Sequence, residues 1–71
     1  MEPLYYGVKL GNVYLAEIHI EGDEVIGLNG VSDIEYAGLF SDEGTADQLA
    51  DHLGAQKVLI AGHPGSLREL I

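Results

Sequence analysis

The sequence predicts an α+β fold: a small, mainly antiparallel sheet, made of an N-terminal β-hairpin plus one to three further strands, with one helix packed on one face. Three observations lead there. Two runs rich in Tyr, Val, Leu and Ile flank Gly11-Asn12, one stretch alone carries apolar residues at helical spacing, and a compact apolar run, Lys57 to Ala61, follows it.

The hairpin spans Leu4 to Ile20. A Gly-Asn pair between two strands reads as a two-residue turn, because Gly adopts the positive φ that tight hairpins require. Pairing about it sets Leu10 opposite Val13, Lys9 opposite Tyr14, Val8 opposite Leu15, Tyr6 opposite Glu17 and Tyr5 opposite Ile18. One face then holds Leu4, Tyr6, Val8, Leu10, Val13 and Leu15, and the other Tyr5, Lys9, Tyr14, Ala16, Ile18 and Ile20. A single helix covers only one of them. The other is expected to need a second subunit, a partner or the C-terminal tail, which makes Tyr5, Tyr14 and Ile18 the candidate self-association face. Packing beneath loops or the tail accounts for these side chains equally well.

Glu21-Gly22-Asp23-Glu24 is turn chemistry, and Val25 to Leu28 reads as a short third strand ending at Asn29-Gly30. Ser32 and Glu35 match a capping box and predict one helical turn, followed by an extended Tyr36 to Phe40. Ser41 or Asp42 caps the helix, whose Ala46, Leu49, Ala50 and Leu53 share one face, and Gly54 ends it. Lys57 to Ala61 reads as the last strand. After Gly62-His63-Pro64-Gly65, the pair Ser66 and Glu69 again matches a capping box and predicts a docked helical turn over 66–71.

The 71 residues allow one domain, 1–71, and a chain of this size hides only about 60% of the surface it exposes unfolded. With no cysteine, disulfides and cysteine-based zinc sites are excluded, so self-association, as a dimer, is the expected supplement to the core. Lack of cysteine fits a reducing compartment, and neither a signal peptide nor an apolar run of about 18 residues is evident. The expected location is the cytoplasm.

Charge is the extreme value: twelve carboxylates against three basic side chains give a net charge of −9. No Lys or Arg lies between Lys9 and Lys57, where ten of the carboxylates fall. Such a surface repels nucleic acid and anionic membranes and attracts basic proteins. The sharpest constellation is Glu43, Asp47 and Asp51, which stack along one helix line about 6 Å apart, with Asp42 beside them. Like charges so placed weaken the helix, so they are the candidate partner-binding ridge. A plain solvated face is the simpler alternative.

Other chemistry is poorly supported. His19, His52 and His63 fall on a strand, a helix end and a loop without metal-ligand spacing, and no metal or cofactor is expected. Glu21, Asp23 and Glu24 lack a calcium-loop pattern and read as a solvated turn. Gly62 to Ser66 matches no phosphate-binding loop. Ser32, Ser41 and Ser66 read as caps rather than nucleophiles, and no catalytic residue is expected.

The run Tyr5-Tyr6-Gly7-Val8-Lys9-Leu10-Gly11-Asn12-Val13-Tyr14-Leu15, then Ala37-Gly38-Leu39-Phe40, then Ala46, Leu49, Ala50 and Leu53-Gly54, resembles small proteins carried by phages and prophages of Gram-positive bacteria. The shared residues are packing and turn residues and carry no catalytic role across. The resemblance implies a mobile-element origin, a setting in which small acidic proteins include inhibitors of host nucleases. The expected function is therefore an acidic binding module that inhibits or modulates a basic, nucleic-acid-binding host protein, without binding nucleic acid itself. The alternative is a structural homo-oligomer whose acidic surface maintains solubility.

Overall fold

A computed structural model describes residues 2–70. Five strands form one antiparallel sheet: β1 (Leu4–Leu10), β2 (Val13–Glu21), β3 (Glu24–Val31), β4 (Gln56–Ala61) and β5 (Arg68–Leu70), in the order β3-β2-β1-β4-β5. The helix α1 (Glu43–Leu53) packs on β1 and β4. The fold is thus α+β, a sheet with one helix, as the patterning requires. Among the described residues no helix is long and apolar enough to cross a membrane.

The Gly11-Asn12 turn sets Leu10 opposite Val13 and Lys9 opposite Tyr14, as expected. Below that point the strands part. Tyr6, expected opposite Glu17, instead exchanges backbone hydrogen bonds with Phe40, its N–H donating to the Phe40 carbonyl at 2.7 Å and its carbonyl accepting from Phe40 N–H at 2.8 Å. The Gly38 N–H donates to the Leu15 carbonyl, so the extended segment after the short turn Ile34–Tyr36 wedges between β1 and β2. Tyr5 pairs with Ile60 of β4 rather than with Ile18.

A bulge in β2 redistributes its faces. Pairing runs from Ala16–Asn29 to His19–Gly27, which leaves one extra residue on β2, and Glu17 takes φ 50° there. One inserted residue reverses the inward and outward alternation beyond it. Ile18, expected beside Tyr14, therefore joins Val8, Leu15, Leu49 and Ala50 beneath the helix. The opposite face is covered from within the chain, where Val58, Ile60 and Leu67 pack with Tyr14, Ile34 and Leu39. The expected face of Tyr5, Tyr14 and Ile18 is accordingly not one surface.

Further boundaries differ from expectation. β3 continues through Asn29-Gly30 to Val31 because β2 offers it a partner along that length. Asp33, not Ser32, caps the short turn, while of the two expected caps of α1, Ser41 and Asp42, it is Asp42 that serves, accepting from Thr45 N–H at 3.1 Å. Gly54 closes α1 at φ 66°. The tail is a strand, not a helical turn. Glu69 turns to Tyr14 and Lys9 instead of capping Ser66, and the chain bends back along the open edge of β4. Gly62 makes that bend at φ 114°, where a Cβ would lie 2.6 Å from the Ser66 carbonyl oxygen. Ile71, part of the expected turn, lies outside the described residues.

Candidate functional site

The helix ridge is partly neutralised. Lys57, projecting from β4, reaches Glu43 at 2.7 Å and Asp47 at 3.0 Å, while its ammonium sits 5.8 Å from the Tyr6 ring centre. The bond to Glu43, then that to Asp47, holds the Lys57 pKa above its ordinary value. Asp42 is occupied as the helix cap. Of the expected ridge Asp42 and Asp51 are exposed without a Lys or Arg within reach among the described residues, and of these two only Asp51 is not engaged as the cap.

The other two basic side chains are also paired, and on the same half of the sheet. Arg68 grips Glu2 through its two terminal guanidinium nitrogens at 2.5 and 2.7 Å. Lys9 meets Glu69 at 3.2 Å above the Tyr14 ring, and the Tyr14 hydroxyl donates to the same carboxylate oxygen at 2.6 Å. That hydroxyl, and then Lys9, hold the Glu69 pKa below the usual carboxylate value; the bond to Glu69 raises that of Tyr14. Every Lys and Arg thus lies on β1, β4 or β5.

The β2–β3 hairpin carries the opposite balance. Glu17, Glu21, Asp23 and Glu24 are exposed on it, and among the described residues none has a Lys or Arg within salt-bridge distance. Glu21 and Glu24 face each other directly across the two-residue turn Gly22-Asp23. Like charges placed directly opposite destabilise a strand pair, so this arrangement has no rationale in the stability of the hairpin. Exposed Ile20 and Ile26 lie among these acids, at 52% and 60% exposure.

Between the hairpin turn and α1 runs an open groove of about 320 Å³. Ile20, Val25 and Leu49 give it an apolar wall, and Asp23, Gln48 and His52 a polar one. It exists because the Glu17 bulge turns Ile20 toward the helix side, where α1 is too short to cover it.

The sequence alone reads Glu21, Asp23 and Glu24 as a solvated turn. The usable signal was present: two carboxylates flank a two-residue turn, a placement that register makes repulsive. His19, His52 and His63 lie on β2, in the last turn of α1 and in the loop before β5. Among the described residues no three His, Asp or Glu side chains converge into a metal-holding group. No protein-family model, curated protein or solved structure matches the chain.

Proposed function

We propose that the protein is an acidic binding module that docks a basic protein through the β2–β3 hairpin and thereby inhibits or modulates it. The observation that carries this is the Glu21–Glu24 pair, with Asp23 between and Glu17 upstream, none with a Lys or Arg within salt-bridge distance among the described residues. A repulsive, uncompensated set of charges is relieved when Lys or Arg of a partner meets it. The charge opposes contact with nucleic acid, which suits a partner whose own basic surface binds nucleic acid. A host nuclease is such a partner, in keeping with a mobile-element origin. The protein itself runs no reaction, and its setting is the cytoplasm.

Affinity for a purified basic protein retained from host extract is the test. It should fall steeply as salt rises, and fall with Glu21, Asp23 and Glu24 reversed to Lys. An affinity flat in salt, or kept by that variant, defeats the proposal.

A homo-oligomer is the second reading, favoured by Leu10, Val13, Ile26 and Leu28, which are 38–60% exposed. A monomeric mass at micromolar concentration would remove it.

A further inference from the structure

Resting on that function, we infer that the groove between the hairpin turn and α1 is a socket for one long cationic side chain of the partner, arginine or lysine. The two walls match the two ends of such a side chain. Ile20 is 52% exposed and Val25 half-buried, over a floor at the buried Leu49, so this wall presents apolar surface on which an aliphatic stem loses water. Asp23 lines the same groove, with Glu21 and Glu24 on either side of it in the chain, and no Lys or Arg of the described residues reaches any of the three. A neutral apolar occupant would leave Asp23 beside an uncharged group, and an acidic one would be repelled. A stem ending in a cation satisfies both walls at once. A second copy of the chain brings no such group readily, since its three basic side chains are each already paired. The remaining polar wall, Gln48 and His52, adds side-chain hydrogen-bonding groups beside the head.

The test uses protein labelled at Ile, Leu and Val methyls and titrated with four small probes. N-acetyl-arginine amide and N-acetyl-lysine amide carry stem and charge; the citrulline analogue keeps the stem without the charge, and methylguanidinium the charge without the stem. At least one of the first two should bind at about millimolar strength and shift the methyls of Ile20, Val25 and Leu49, with citrulline and methylguanidinium about tenfold weaker. Equal binding of all four, or shifts elsewhere, overturns the socket.

Gln48→Trp, a substitution at an exposed helix position, fills the groove and should weaken the arginine probe by about tenfold. If this variant still takes an arginine-rich peptide in a salt-dependent way with undiminished affinity, the socket fails while the acidic-hairpin function stands. If the wild type shows no salt-dependent binding of that peptide, the function fails with it.

Discussion

Glu35 joins two distant segments through a single carboxylate, which accepts from Gly65 N–H at 2.6 Å and from the part-buried Leu67 N–H at 2.7 Å. Removing it strands both donors, so Glu35→Ala should cost about 2 kcal/mol in urea unfolding, and Glu35→Gln, which keeps one oxygen, about half of that. Equal stability of all three would show that water replaces the carboxylate. Glu17 carries the reverse prediction. A non-glycine residue at φ 50° is sterically disfavoured, so Glu17→Gly should raise stability by about 1 kcal/mol while the bulge persists. Neither role was legible beforehand. Glu35 sits in a capping-box pattern that names a local partner, and a bulge leaves no mark in an alternating strand. The position of Ile18 followed from the same gap, because alternation counts residues and the bulge adds one.

At the level of elements, the turns and α1 were the readable parts. Gly11-Asn12, Gly54 and the Ala46, Leu49, Ala50, Leu53 stripe encode their conformations locally, and the structure places them accordingly. β5 and the Phe40 bridge were not readable, since both depend on edges that other strands leave open. Ser66 and Glu69 form a good local capping pattern, yet Glu69 gains more from Tyr14 and Lys9 across the sheet. The cap of α1 has a pH signature. Bonds from the Thr45 hydroxyl and amide hold the Asp42 pKa below its ordinary value. A depressed carboxylate stabilises above the unfolded pKa, and that contribution is lost as pH falls through the folded value. Asp42→Ala should therefore lower the melting temperature by a few degrees at neutral pH, with the gap to wild type closing in strong acid. A gap independent of pH would mean that the cap acts through something other than its charge.

For the whole molecule, charge is divided between two halves. One half pairs Glu2, Glu43, Asp47 and Glu69 with all three basic side chains; the other carries hairpin acids that no Lys or Arg reaches among the described residues. Composition disclosed the excess but not the division, which arises because antiparallel pairing brings Lys9, Lys57 and Arg68 onto neighbouring strands. At a net charge of −9 the folded state repels itself, so added salt should raise the melting temperature at neutral pH, and thermal melts would check this. A fall with salt would mean that the few ion pairs outweigh the repulsion.

The division of charge also says where a cationic partner lands. The most direct measurement is an amide-shift titration of labelled protein with an arginine-rich peptide at low and then raised salt. Docking on the hairpin predicts the largest shifts from Glu17 to Val25, shrinking as salt is added. Largest shifts along Glu43, Asp47 and Asp51, or shifts indifferent to salt, would contradict it.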